Sequence, residues 1–261
     1  MIDSNTDYGK AGGKMEHQEY KRFVPNADCA ILFIHGIVGT PNHFSDFIST
    51  VPDTVSVWNL LLTGHGKQVR DFSHTSMNEW EAQVEDAITH LAQDHTNIYL
   101  VAHSMGALLS IEKAIYHREI KGLFLLAAPL KLFIKPQMAI NSYKVYRDRI
   151  DPEDAVGMAA KKCYGIAPDK NVFHYIGWIP RYLELFAKIR SVRGMLESLS
   201  VPCTAYQSQK DEMVSVKSER YLRKCRSVKV VKLKNSRHYY YDEADYKALK
   251  EDFKAFVAKI Q

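Results

Sequence analysis

The chain has 261 residues, of which 46% are hydrophobic, which suits one large α/β domain or two small ones with a sizeable core. Its formal charge of +5 is spread along the chain without a block of like charges, so neither a nucleic-acid partner nor an acidic membrane is called for. The longest apolar runs, such as Leu123 to Leu130, are far too short to span a bilayer, and Met1 to Val24 lacks the apolar core of a signal peptide.

Met1 to about Lys14, with Gly9, Gly12 and Gly13, reads as a flexible leader, and a lead-in continues to residue 27. From Cys29 onward, strand-like apolar runs alternate with helical segments. Cys29–Ile34 is the first run. The loop after it, His35-Gly-Ile-Val-Gly39, bears glycines, so its backbone amides can turn toward a neighbouring group. Thr40 then offers a capping oxygen and Pro41 a first helical residue for a helix over Pro41–Thr50. Val55–Leu60 is the second strand, and a helix is expected over Met77–Gln93.

Ile98–Ala102 is the third run, followed by His103-Ser-Met-Gly106 and a helical stretch to His117. A serine on so tight a strand–turn–helix connection stands clear of the sheet, above the unsatisfied N–H groups of the helix N-terminus. Ala102 and Gly106, two positions away on either side of Ser104, are as small as such a turn needs. Leu123–Ala128 is the fourth strand. Between residues 130 and 200 the alternation breaks. No clear strand occurs there, and aromatics accumulate: Phe133, Tyr143, Tyr146, Tyr164, Phe173, Tyr175, Trp178, Tyr182 and Phe186. A structureless loop of that length is improbable in a compact domain, so a helical cap inserted over the end of the sheet is expected. Most of the aromatics are expected to form the insertion's own core. Thr204–Gln207, a helix over Ser215–Lys224, Val228–Leu233 and a last helix over Asp242–Ile260 complete an α/β fold. Its mostly parallel sheet has helices on both faces and is built from residues 28–129 and 201–261.

Serine chemistry needs a base, and the base needs an orienting carboxylate. Asp211 follows the strand Thr204–Gln207, and His238 follows the strand Val228–Leu233. Ser104, Asp211 and His238 therefore each stand at the C-terminal end of a different strand, where open α/β sheets build their sites. Acyl transfer passes through an oxyanion, and the backbone N–H groups of Ile37 and Met105 are the candidate donors. The histidines lack ligand-like spacing with cysteines or carboxylates, so no metal is expected, and no cofactor. Cys29, Cys163, Cys203 and Cys225 are widely spaced without a CxxC pair, as expected of reduced thiols in a cytoplasmic protein.

Taken together, His35-Gly-Ile-Val-Gly-Thr-Pro41, Thr63-Gly-His-Gly66, His103-Ser-Met-Gly106, Asp211-Glu-Met-Val214 and Ser236-Arg-His238 resemble the α/β-hydrolase family. Within it they are most similar to bacterial carboxylesterases and monoacylglycerol lipases. The resemblance implies Ser104 as nucleophile, Asp211 as acid, His238 as base, and Ile37 and Met105 as oxyanion donors. It assigns the acid to Asp211 rather than Glu212, so Glu212→Gln is expected to change little. Gly64-His-Gly66 is then a structural turn, and His35 and His103 orient backbone. The implied activity is hydrolysis of a small-molecule carboxylic ester, with no stable membrane anchoring. Thioesterase, C–C hydrolase, amidase and acyltransferase reactions fit the same triad, and a ligand-binding receptor that keeps the pocket is the alternative of a different class. Haloalkane and epoxide hydrolases use a carboxylate nucleophile, which Ser104 is not.

Overall fold

The fold is that of a computed structural model, described here for residues 17–133, 135–136, 143–144 and 150–260. The leader expected over Met1 to Lys14, and Tyr146, lie outside these residues. In chain order the first elements are β1 (Tyr20–Arg22), β2 (Cys29–Ile34), a 3-10 turn over Pro41–Phe44, α1 (Ser45–Ile48) and β3 (Ser56–Leu60). Then come β4 (Lys67–Gln68), α2 (Val69–Ser73), α3 (Met77–Asp94), β5 (Asn97–His103), α4 (Met105–Tyr116) and β6 (Ile120–Leu126). The rest comprises α5 (Ala155–Cys163), β7 (Ile166–Ala167), a 3-10 helix over Val172–Gly177, α6 (Trp178–Met195), β8 (Cys203–Ser208), α7 (Ser218–Leu222), β9 (Val228–Leu233) and α8 (Glu243–Ala258).

The main sheet has the order β1-β3-β2-β5-β6-β8-β9, with β1 antiparallel and every other pair parallel. Its central strands are covered on both sides, which is why they read as near-continuous apolar runs. Alternation along each strand sorts the side chains between two layers. Leu32, Ile34, Leu100, Ala102, Leu123 and Leu125 face one layer, shared with α3, α4 and α6. Ile31, Phe33, Val101, Phe124 and Leu126 face the other, closed by Phe47 of α1 and by Leu249, Phe253 and Val257 of α8. The spacing of four in α8 lays those three residues along one helical stripe. In α3, Trp80, Val84, Ala87, Ile88 and Leu91 do the same, and Ser76 caps the helix by accepting the Glu79 N–H.

Several elements depart from the expectation. Tyr20–Arg22, within the lead-in, is an edge strand on β3. The helix expected over Pro41–Thr50 divides into a 3-10 turn and a four-residue helix. Pro41 does open it, but Thr40 makes no side-chain cap; its hydroxyl instead contacts His17 Nδ1 at 3.2 Å. The insertion contains one short strand after all, since β7 pairs in parallel with β4, joining Ile166 to Lys67.

Helices α5 and α6 make up much of the described insertion. Trp178 is buried, and Tyr164, Tyr175 and Tyr182 are half-buried against the core. Phe133, Tyr143, Phe173 and Phe186 are exposed, so only part of the aromatic set serves as core. The inner face of α6 buries Leu185, Ile189 and Val192. Lys188, also buried on that helix, reaches Glu81 of α3 (2.5 Å) and Glu112 of α4 (2.9 Å).

Candidate active site

Ser104 occupies the single residue between β5 and α4, with φ 52° and ψ −119°. A non-glycine residue with positive φ is strained, and such strain persists where the surroundings over-determine it. Here they do. A Cβ on Gly106 would lie 2.2 Å from the main-chain oxygen of Ile34, and one on Gly36 would lie 2.8 Å from Ser104 Cβ. Only glycines let the Ser104 turn pack this closely on the end of β2. Met105 opens α4, a position whose N–H has no intrahelical acceptor.

Asp211 and His238 meet in the buried loops after β8 and β9. Nδ1–H of His238 donates to Asp211 Oδ2 at 2.9 Å. The other carboxylate oxygen accepts the N–H groups of Met213 and Val214, both at 2.7 Å. These bonds fix the carboxylate, which in turn fixes the imidazole tautomer and leaves Nε2 with its lone pair. That nitrogen is buried and makes no hydrogen bond. The strand end bearing Ser104 is tied to the same loop, because His103 Nε2–H donates to the His238 carbonyl at 3.0 Å and the two rings lie 4.7 Å apart.

The electrostatics separate one histidine from the others. Burial alone would lower His238, but the Asp211 charge, its hydrogen bond and the Glu212 charge outweigh it, so the ring sits above its ordinary value. Burial holds His35 and His103 well below theirs and takes His43 to about 3 and His65 to about 4. These four rings are neutral and orient structure. Leu62 N–H donates to His35 Nε2 (3.1 Å) while Nδ1–H donates to Gly36 O (2.9 Å). His65 lies in the turn between Gly64 (φ 80°) and Gly66 (φ 71°), packed on His35 and Trp80.

The oxyanion candidate Ile37 lies in a turn closed by Gly39 N–H donating to Gly36 O at 3.0 Å. Val38, the next residue, has φ 51°, an uncommon conformation for a β-branched side chain. The insertion holds this turn. Gly165 N–H donates to Val38 O (2.9 Å), and Gly66 N–H donates to Gly165 O (2.6 Å). It holds the acid loop as well. Phe133 N–H donates to Met213 O (2.9 Å), Ser215 N–H to Lys131 O (2.8 Å), and Lys135 Nζ to the Asp211 carbonyl (2.6 Å).

Ser104, Asp211, His238, Ile37 and Met105 thus all lie at the C-terminal ends of the strands or the loops that follow them. Sequence reasoning missed three neighbours, His43, stacked on His103 at 4.1 Å, Lys135 and Gly165, and it set aside a fourth, Glu212, whose Oε2 accepts the His238 N–H at 3.2 Å. Gly165 is one of four glycines in the insertion, with Gly157, Gly177 and Gly194, so nothing in the sequence singled it out.

Comparison with known proteins bears on the family and the fold. Over 102 residues the chain is 28% identical to a thermostable monoacylglycerol lipase of Bacillus sp. (strain H-257), a stretch covering 39% of this chain and 41% of that relative. A solved chain from work on LipS and LipT, two metagenome-derived lipolytic enzymes, superimposes with a TM-score of 0.72 at 17% identity, covering 94% of this chain and 98% of that one. The monoacylglycerol lipase of Paleococcus ferrophilus gives 0.66 at 18% identity, with 94% and 99% covered. Est1E of Butyrivibrio proteoclasticus with bound ferulic acid gives 0.63 at 18% identity, with 93% and 94% covered. At such identities the structural likeness speaks for the fold. Residues 31–251 match the alpha/beta hydrolase family, and the chain belongs to that family.

Proposed function

We propose that this protein hydrolyses small carboxylic esters through an acyl-enzyme on Ser104. The observation that carries the reading is His238: its Nδ1–H is tied to Asp211, while its Nε2 is buried and unpartnered on a loop bonded to the strand end that bears Ser104. As Ser104 Oγ attacks the ester carbonyl, Nε2 takes the hydroxyl proton, and Asp211 stabilises the resulting imidazolium. The tetrahedral oxyanion rests on the Ile37 and Met105 N–H groups. His238 then hands its proton to the departing alcohol, and a water, activated by the same nitrogen, releases the acid. The lipase and esterase relatives support an ester over a thioester or amide. The insertion over residues 130–200 is read as the cap that walls the acyl or alcohol pocket. Its half-buried Tyr164 and Tyr182 supply apolar faces with few polar groups. The cysteines are free thiols, as in a cytoplasmic enzyme, and among the described residues no helix is long and apolar enough to cross a membrane.

Two measurements test this. A fluorophosphonate should label Ser104 stoichiometrically, and Ser104→Ala should remove on the order of a million-fold from kcat on p-nitrophenyl esters while the protein stays folded. Substantial turnover by a folded Ser104→Ala protein would sink the mechanism. Faster turnover of matched thioesters or amides would move the substrate class.

A further inference from the structure

We propose that Glu212 is a positioning residue for this chemistry, a second buried carboxylate that holds the His238 main chain and favours the imidazolium that His238 becomes. The proposal rests on the triad reading above and goes against the sequence expectation that Glu212 is dispensable. Glu212 is 6% exposed, and its Oε2 accepts the His238 N–H at 3.2 Å. Its backbone is not free to drift. Lys135 N–H donates to the Glu212 carbonyl at 2.8 Å, and the residues on either side are bonded in turn, Asp211 O by Lys135 Nζ and Met213 O by Phe133 N–H. Asp211 and Glu212 therefore address two parts of one residue, the ring nitrogen and the peptide nitrogen.

The charge is the informative part. A neutral amide at this position could accept the same N–H, and burying a carboxylate is the costlier choice. An anion is worth that cost where a cation forms beside it. The groups facing His238 define the balance. The charges of Asp211 and Glu212 both raise the His238 ring. His103 and His43 are neutral, and the Tyr239 ring lies edge-on at 4.8 Å. Lys135, reaching in from the insertion, spends its ammonium on the Asp211 carbonyl, and Lys210, on the acid loop itself, is exposed to solvent. Two negative charges thus act on a single imidazole, and each makes its protonated form more favourable.

Glu212→Gln keeps the shape and the acceptor but removes the charge. Expected is a downward shift of roughly one pH unit in the acid limb of kcat/KM, the small end of what a neighbouring opposite charge does. The plateau of kcat should fall up to roughly tenfold, the rate equivalent of that shift, with KM little changed. Glu212→Ala should share the pH shift and lose more in kcat, because the His238 N–H then lacks its acceptor. NMR titration of His238 in Ser104→Ala and in Ser104→Ala/Glu212→Gln reads the same displacement without substrate, so a failure of ester turnover leaves this result legible. An unshifted His238 titration in the Gln variant would overturn the proposal, and so would a superimposable pH–rate profile. A purely structural role would lower the thermal midpoint and leave both titrations in place.

Discussion

Gly165 is the point where the insertion grips the Ile37 turn, and Gly165→Ala tests whether that seam matters to the chemistry. The added Cβ would lie 1.8 Å from Thr40 Cγ2 and 2.5 Å from Gly39 O. Carbon atoms rest in contact at about 3.5 Å, so the seam must open by roughly 1.5 Å. Thr40 is fully buried and the Gly39 oxygen is main chain, so neither can swing aside. Overpacking of this kind costs about 1–3 kcal/mol of stability. The catalytic cost is separate. The displaced turn carries the Ile37 N–H, and a lost oxyanion donor costs about 3 kcal/mol, or 10²- to 10³-fold in kcat. A turn that shifts without detaching should lose between roughly tenfold and that limit. KM should stay within about threefold, because the donor acts on the transition state more than on bound ester. Steady-state kinetics on a p-nitrophenyl ester, read beside a thermal unfolding curve, separate the two costs. A Gly165→Ala protein that unfolds cooperatively and retains wild-type kcat would refute the link between seam and oxyanion turn.

Asp211→Asn should lower kcat by roughly a thousand-fold or more, since the amide neither compensates the imidazolium nor enforces the His238 tautomer; initial rates on the purified variant check it, and a loss below about tenfold would point to another acid. His238 must be neutral to accept the serine proton, and its pKa lies above the ordinary value. Activity should therefore fall as pH drops through an acid limb above about 6.5, and a pH–rate profile with a lower limb would contradict the Asp211–His238 pairing. Stability should also fall on acidification. His43 and His65 stay neutral when folded, to about 3 and about 4, whereas the unfolded chain protonates both near 6.5 and so binds more protons below that pH. Each ring costs about 1.4 kcal/mol per unit below 6.5; His35 and His103 add to this, and raised His238 opposes it. Urea unfolding at pH 5.5 should show about 4 kcal/mol less stability than at pH 7.5, and equal values would refute the neutral assignment.

How far the chain could be read depended on whether the relevant contact was local. Cys29–Ile34 is a strand as expected, because a buried parallel strand leaves a dense apolar run, and Val228–Leu233, a partly exposed edge strand, shows itself through its valines. Ser104, Asp211 and His238 were legible through order, each following its strand. Contacts closed over long separations left no such trace. Lys67–Gln68 and Ile166–Ala167 are two-residue strands that exist only through each other. Glu212 resembled any acid beside a better candidate until the His238 peptide nitrogen came within 3.2 Å of it. Thr40 carried a correct capping signature, yet its hydroxyl took a partner in the lead-in. His43 offered nothing to distinguish it from a solvated loop histidine.

The packed inner face of α6 bears on how a substrate would come and go under the proposed function. Lifting α6 off the protein would separate Lys188 from Glu81 and Glu112 but return all three groups to water, so the ion pairs themselves add little to the cost. It would also expose Leu185, Ile189 and Val192, at roughly 5–9 kcal/mol together. Fewer than about one molecule in a thousand could hold such a posture at any instant. On these costs α6 stays in place in nearly every molecule, and under the proposed function ester and acid would pass alongside it. Variants intended to speed product escape belong on the flanks of the insertion. Loosening α6 would trade integrity of the α3–α4 packing for an opening the proposed reaction would not need.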